Sequence, residues 1–236
     1  MTAGLHFSTA GRSHFARSGG TLTLRAVMPA SENYHEALWE GVPEGLDPPA
    51  EGPRRAFLLE HVGPDERVLD VGCGEGRFAA ELARIGAHPV GIDVAAEPLR
   101  RARALHPELD LRQVAAAGAW PLRDASFDAV WAGEVIEHVA DTAGWLSEVR
   151  RVLRSGGSLL LSTPDHGRLQ MLWWALAARA FEVHFDPRAD HLRFYTRRTL
   201  TELLEDFGFD EVEVRSAGGP PGARRRLLAR AVRSRW

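Results

Sequence analysis

The sequence contains no lysine, a single cysteine and no long apolar run. Its 29 basic residues are all arginines, so Schiff-base chemistry and a P-loop lysine are excluded. The one cysteine, Cys73, excludes an internal disulfide and a multi-cysteine zinc site, and it favours a reducing compartment. No segment reaches the roughly 18 to 20 apolar residues that span a bilayer, and no signal peptide is evident. These absences predict a cytoplasmic protein.

The chain is large enough for one sizeable domain. It has 236 residues, of which 44% are hydrophobic, and a net charge of −3. The slightly acidic balance gives no basic field for DNA, and the absence of an RNA-binding module argues against RNA. Residues 1–30, rich in Gly, Ser, Thr and Arg, are predicted to be a disordered arm, and residues 31–236 a single domain.

From Arg54 onward, short apolar strands alternate with segments of helical spacing. This alternation predicts an α/β domain with a parallel sheet that is covered on both faces. It stops after Pro164, where an apolar stretch containing tryptophans indicates a helical insertion. The predicted strands are Arg67–Val71, His88–Asp93, Leu109–Val114, Phe127–Gly133, Ser158–Ser162 and Glu211–Val214. The predicted helices include one around Tyr34–Trp39 and one at Thr199–Phe207. The segment Arg226–Arg233 fits either a last strand or a basic helix.

A glycine-rich turn follows the first predicted strand. The residues Asp70-Val71-Gly72-Cys73-Gly74-Glu75-Gly76 lead from that strand into a helix, and the next strand ends in Asp93. Glycine allows a sharp turn and a close approach of a ligand to the backbone. A carboxylate at the end of the second strand can accept both hydroxyls of a ribose. In an open parallel sheet, ligands bind beyond these carboxyl ends.

These residues resemble motif I of class I S-adenosylmethionine (SAM)-dependent methyltransferases, and Val90–Asp93, Ser126–Val130 and Arg151–Gly157 resemble the later motifs. The resemblance runs from about Arg54 to Val214. It implies a Rossmann-like, doubly wound sheet of seven mostly parallel strands, with the last strand antiparallel and formed by Arg226–Arg233. The implied SAM-binding residues are Asp70, Gly72, Cys73, Gly74, Gly76, Asp93, Val94, Ala116, Ala117 and Glu134. Many relatives have an acid near Ala116 that meets the adenine amino group; here backbone groups would take that role.

A carboxylate–imidazole cluster follows the fourth predicted strand. It comprises Glu134, Glu137 and His138, with His191 downstream in a segment that also contains His184, Asp186 and Asp190. Two carboxylates and two imidazoles can hold a divalent cation; alternatively, His138 or His191 acts alone as a general base. The pattern resembles ubiquinone-biosynthesis O-methyltransferases and small-RNA 3′-terminal 2′-O-methyltransferases. By that resemblance, the metal ligands would be Glu134, Glu137, His138 and His191. With Asp190–Arg197 included, the chain most resembles generic bacterial small-molecule methyltransferases related to the ubiquinone-biosynthesis enzymes.

The reaction that these features predict is methyl transfer from SAM to a hydroxyl of a small molecule. The alternatives are an RNA 3′-terminal 2′-O-methyltransferase and a non-catalytic SAM-binding or membrane-associated protein. The resemblance implies that the insertion, residues 164–195, covers the substrate. Its apolar part, 169–181, is interpreted as a packed helix, an apolar wall for the acceptor or an interfacial membrane helix. The arginine-rich C-terminus is interpreted as a solvated end, a contact with anionic lipid or a contact with a phosphate backbone.

Overall fold

The structure is a computed structural model that describes residues 36, 39, 42, 51–176, 181–182, 185, 191–218 and 225–235. The predicted disordered arm and the residues His184, Asp186 and Asp190 lie outside the described residues. Of the predicted helix around Tyr34–Trp39, the structure describes Glu36 and Trp39, and both are helical. The proposed division of the chain at residue 30 stays a prediction.

Seven strands form one sheet in the order β3-β2-β1-β4-β5-β7-β6. The first five strands run parallel to one another, and β7 runs antiparallel to both β5 and β6. The predicted doubly wound sheet with an antiparallel last strand is therefore confirmed. The strand order reverses between β1 and β4, which is where such sheets open a ligand-binding crevice. The strands are β1 (Arg67–Val71), β2 (His88–Asp93), β3 (Asp110–Gln113), β4 (Phe127–Gly133), β5 (Leu153–Pro164), β6 (Phe209–Gly218) and β7 (Arg225–Arg233).

Helices cover both faces of the sheet. The helix that follows β5 confirms the predicted helical insertion. Two helix starts depend on side-chain caps: Asp141 accepts a hydrogen bond from the amide of Gly144, and Thr196 accepts one from the amide of Thr199. The α-helices bounded within the described residues are α1 (Glu51–His61), α2 (Arg77–Arg84), α3 (Ala96–Leu105), α4 (Thr142–Val152), α5 (Arg168–Leu176) and α6 (Arg197–Asp206), and Ile136–His138 forms a 3₁₀ turn.

The core divides between the two faces because side chains alternate along each strand. On β1, Leu69 belongs to the larger cluster, which includes residues of α4 and α6, whereas Val68 belongs to the cluster that α1 and α2 cover. On β4, Val130 and Trp131 divide in the same way. The central strands are thus buried on both sides, and the carboxyl edge of the sheet is where functional side chains can gather.

Two strands are longer than the sequence pattern predicted. We predicted Ser158–Ser162 for β5 and Glu211–Val214 for β6, but the pairing of β5 with β7 continues to Pro164 and that of β6 with β7 to Gly218. Pairing with β7, which is distant in sequence from β5 but directly follows β6, extends both strands. Among the described residues, no helix has the length and apolar character needed to cross a membrane.

Candidate active site

The glycine loop, residues 72–76, lies at the carboxyl end of β1. Gly72 and Gly74 have φ values of 67° and 54°, in the region that favours glycine. A Cβ on Gly72 would lie 2.6 Å from Cγ2 of Val135, a residue of the turn after β4. The amides of Gly72 and Cys73 donate to the carbonyl of Ile92 at 2.8 and 3.1 Å, which holds the loop beside β2. The loop is therefore in contact with the neighbouring strands on both sides.

Asp93, the predicted ribose ligand, lies directly against this loop. Its Oδ2 accepts a hydrogen bond from the amide of Gly74 at 2.9 Å, and its Oδ1 accepts one from the amide of Ala95 at 3.0 Å. Burial raises the pKa of Asp93, and hydrogen bonds from backbone amides, including that of Val94, oppose the rise. The carboxyl group is thus held in one orientation at the end of β2.

Three further predicted cofactor residues, Ala116, Ala117 and Cys73, lie in or around the glycine loop and Asp93. Ala116 and Ala117 are exposed in the bend after β3, and the amide of Val114 donates to the carbonyl of Asp93 at 3.0 Å. Cys73 is buried, and burial raises the pKa of its thiol well above the usual range. The side chain of Cys73 lies beside Gly91 of β2, next to the position that a Cβ on Gly91 would occupy. The observed contact of the Cys73 side chain is therefore with β2.

Asp70 and Arg54 are two buried titratable side chains that interact electrostatically. Asp70 is only 2% exposed, and burial, followed by the charge of Asp93, raises its pKa to about 8. Within the described part of the chain, no hydrogen-bond partner reaches its Oδ2. The buried guanidinium of Arg54 contacts Gly133 and lies 4.9 Å from the ring centroid of Phe78. Burial lowers the pKa of Arg54, and nearby carboxyl groups, Asp70 among them, raise it.

Arg54 was not predicted from the sequence, although a signal was present. It shares the buried face of α1 with Phe57 and Leu58, three and four residues further on. A cation on the apolar face of an amphipathic helix is costly to bury unless other groups interact with it, so its position alone points to a function.

Three of the predicted catalytic and metal-binding side chains meet after β4. Donor atoms of Glu137, His138 and His191 all lie within 4.8 Å of one another, and the two imidazole ring centroids are 4.9 Å apart. Glu137 is fully buried; its Oε2 accepts a hydrogen bond from Oγ1 of Thr163 at 2.9 Å. Its Oε1 has no hydrogen-bond partner among the described residues. Burial, followed by the charge of Glu134, raises the pKa of Glu137 to about 8.

Backbone hydrogen bonds bring His191 to this cluster across more than fifty residues of chain. The carbonyl of Glu137 accepts hydrogen bonds from the amides of Leu192 at 2.8 Å and Arg193 at 3.1 Å. The guanidinium of Arg193 also donates to the carbonyl of Ala140 at 2.8 Å. The 3₁₀ turn and the segment that begins at His191 are therefore held together by main-chain geometry.

The fourth predicted donor, Glu134, lies outside this group. We expected a helical turn from Glu134 that would put it on one face with His138, but the 3₁₀ turn begins at Ile136 and Glu134 precedes it with φ of 61°. The carboxylate of Glu134 instead accepts a hydrogen bond from Ser162 at 2.8 Å and forms an ion pair with the buried Arg226 of β7. The structure therefore gathers three of the four predicted metal ligands.

An aromatic cluster adjoins the imidazoles. The ring centroid of the buried His166 lies 5.0 Å from that of Phe194 and 5.9 Å from that of Trp174, and Phe194 is 5.3 Å from Phe185. Burial lowers the pKa of His166, and the charge of His191 lowers it further. Aromatic side chains of the described part of the insertion therefore lie beside the cluster.

The sequence identifies the family. A family model described as a methyltransferase domain matches residues 44–214. The chain belongs to this methyltransferase family.

Curated relatives include proteins that carry the name ubiquinone biosynthesis O-methyltransferase. The relative from Dinoroseobacter shibae is 36% identical over 154 residues, which are 62% of this chain and 61% of the relative. The relative from Hahella chejuensis is 34% identical over 170 residues, 69% of this chain and 71% of the relative. The chain thus spans about three fifths of the length of the first of these proteins.

Solved structures share the fold at low sequence identity. A Burkholderia thailandensis 1,6-didemethyltoxoflavin-N1-methyltransferase, solved with bound 1,6-didemethyltoxoflavin and S-adenosylhomocysteine, has a TM-score of 0.65 at 21% identity and covers 86% of this chain and 87% of its own. A Mesorhizobium loti SAM-dependent methyltransferase has a TM-score of 0.62 at 23% identity and covers 80% of this chain and 100% of its own. At these identities, the likeness concerns the fold.

Proposed function

We propose that the chain binds SAM at the glycine loop and transfers its methyl group to a hydroxyl of a small molecule at the Glu137–His138–His191 cluster. The observation that carries this proposal is the contact between Gly72 and Val135. It joins the loop suited to the cofactor to the turn that positions the acid–base groups. A donor and an acceptor bound on either side of this contact would be neighbours.

On the cofactor side, each part of SAM has a partner of matching chemistry. The ribose hydroxyls would donate to Asp93, whose carboxylate is held by the amides of Gly74 and Ala95. The methionine amino group would supply the hydrogen-bond donor that Oδ2 of Asp70 lacks among the described residues. The methionine carboxylate would meet the guanidinium of Arg54, which lies among the carboxyls of Asp70, Glu134 and Glu137.

On the acceptor side, His138 or His191 would act as general base. As the acceptor oxygen forms its bond to the methyl carbon, the S–CH₃ bond breaks and its electron pair stays on sulfur, giving neutral S-adenosylhomocysteine. The proton of the acceptor hydroxyl passes to the imidazole. General-base catalysis of this kind contributes roughly 10²- to 10⁴-fold, and alignment of the two reactants contributes further.

The same cluster fits a divalent cation. One carboxylate and two imidazoles are a suitable donor set, and the Oε1 of Glu137 lies buried without a hydrogen-bond partner in the described part of the chain. Glu137, His138 and His191 would hold the ion, which when bound would lower the pKa of the acceptor hydroxyl. Glu134 would stay with Ser162 and Arg226.

The aromatic cluster favours an acceptor with an apolar body. His166 packs against Phe194 and Trp174 and interacts electrostatically with His191, so a ring or a hydrocarbon chain of the acceptor would pack there. Further out on α5, Trp173 is 51% exposed and Leu176 is 79% exposed. We therefore extend the proposal to a peripheral membrane contact through α5, from which an apolar acceptor would enter. Co-sedimentation with vesicles of anionic lipid, lost in Trp173→Glu, tests this extension.

The main test uses tritium from methyl-labelled SAM and separate small-molecule and RNA extracts. We expect label in the small-molecule fraction, with at least a 100-fold loss of turnover in His191→Asn and an S-adenosylhomocysteine affinity within threefold of wild type. His88→Asn is the matched control, because His88 is exposed at the start of β2. Label in RNA would favour the RNA methyltransferase instead, and cofactor binding without any transfer would favour a non-catalytic protein.

A further inference from the structure

Three residues that precede α1 pack against the proposed cofactor site. We call Glu36, Trp39 and Val42 the N-terminal cover. Two ring carbons of Trp39 lie 3.1 and 3.2 Å from the position that a Cβ on Gly74 would take, so the indole lies directly on the glycine loop. This contact is close because Gly74 has no side chain.

The N-terminal cover also contacts the end of the site where the ribose would bind. The carboxylate of Glu36 accepts hydrogen bonds from the amides of Ala96 at 2.6 Å and Glu97 at 3.0 Å, at the start of α3. Its charge acts on the Asp93 carboxyl, whose pKa it raises. Glu36 therefore lies close to the predicted ribose ligand, a short way beyond the carboxyl end of β2.

Arg101, on α3, connects this cover to the glycine loop. Its guanidinium donates to the carbonyl of Val42 at 2.8 Å and to that of Trp39 at 3.1 Å. The same group forms ion pairs with Glu75 of the glycine loop at 3.3 Å and with Glu97 at 2.8 Å. The Arg101 side chain is only 8% exposed, so these bonds form largely out of water, where charge-assisted hydrogen bonds are strong.

We propose that Arg101 is a positioning residue that holds the N-terminal cover against the ribose end of the cofactor site and thereby slows cofactor release. The proposal rests on the cofactor site proposed above. The planar guanidinium reaches two carbonyls of the cover and a carboxylate of the loop at once, which a shorter neutral side chain cannot do. Loss of this link should free the cover and leave Asp93 and the glycines in place.

The test measures the dissociation rate of radiolabelled S-adenosylhomocysteine from wild type, Arg101→Gln and Arg100→Gln. Arg100 is the matched control, because it pairs with the same Glu97 but its side chain is 62% exposed. We expect a dissociation rate at least tenfold faster in Arg101→Gln, with an association rate within threefold, and no change in Arg100→Gln. Trp39→Ala, in which Arg101 is intact, should also release the ligand faster.

Hydrogen exchange of the peptide that contains the N-terminal cover gives a second readout. Bound S-adenosylhomocysteine should slow exchange in this peptide in wild type but not in Arg101→Gln. Wild-type release rates in Trp39→Ala and in a folded Arg101→Gln would overturn the proposal while leaving the cofactor site intact. If Arg101→Gln does not fold, Trp39→Ala decides alone. A wild-type protein that binds no S-adenosylhomocysteine would instead overturn the cofactor site itself.

Discussion

The substitution Asp93→Asn tests the cofactor site at the residue whose geometry is best defined. Asp93 accepts hydrogen bonds from the amides of Gly74 at Oδ2 and of Ala95 at Oδ1, and acceptor positions on both oxygens would serve two ribose hydroxyls. Asparagine has nearly the same shape but no charge, and its amide nitrogen cannot accept a hydrogen bond. The substitution therefore weakens one contact to the ribose and removes another.

A hydrogen bond to a charged group contributes about 1.5–3 kcal/mol, and one to a neutral group about 0.5–1.5 kcal/mol. Loss of one hydrogen bond between the ribose and the charged carboxylate, and weakening of the second, should then lower the binding free energy of the ligand by about 3 kcal/mol, or roughly 150-fold in affinity. The folded protein should tolerate the change, because burial already disfavours the charged form of Asp93, as its raised pKa shows. The asparagine must still turn its oxygen toward one of the two backbone amides.

Calorimetric titration with S-adenosylhomocysteine measures this loss. Asp110→Asn is the control, since Asp110 starts the neighbouring strand β3 and forms a half-exposed ion pair with Arg112. Circular dichroism and thermal unfolding should show that both variants fold. An affinity of the folded Asp93→Asn protein within threefold of wild type would refute the ribose role.

Three further predictions concern buried acids and the cluster. Folding raises the pKa of Asp70 to about 8, so the folded state keeps a proton that the unfolded state releases above about pH 4. The free energy of unfolding should therefore fall as pH rises toward 8, by up to about 1.4 kcal/mol per pH unit. Urea unfolding at pH 6 and 9 should therefore show a smaller pH dependence in Asp70→Asn than in wild type; an identical dependence would argue against a protonated Asp70. Glu137→Gln should fold but lose at least 30-fold in turnover, with S-adenosylhomocysteine affinity nearly unchanged; wild-type turnover would remove Glu137 from the reaction. If the cluster holds a metal ion, EDTA should reduce turnover as much as Glu137→Gln does. Full activity of a protein in which metal analysis finds no ion would instead indicate that an imidazole acts as the base without a metal.

The sequence predicted the fold because its signals are local. The run into Gly72–Gly76 and the acid at Asp93 lie within single β–α units, and the near-continuous burial of β1 and β4 follows from their short apolar runs, which are typical of strands covered on both faces. The length of β5 and β6 was not predictable, because it depends on pairing with β7, and the sequence left open whether Arg226–Arg233 forms a strand or a helix.

The site was predictable in its residue types but not in its arrangement. The spacing of Glu134, Glu137 and His138 suggested one helical face, yet the backbone turns at Glu134, which has a positive φ. The partner that holds Glu134, Arg226, comes from β7, almost one hundred residues later. The contact between Arg101 and Trp39 was not predictable either, because it joins segments that are distant in sequence.

The most direct test of the central claim is a crystal structure of the protein with S-adenosylhomocysteine. The account predicts that the ribose hydroxyls lie within hydrogen-bond distance of Asp93, that the homocysteine part lies over Gly72 and Gly74, and that the sulfur faces His138 and His191. A ligand bound away from the glycine loop, or a sulfur turned away from the two imidazoles, would contradict it.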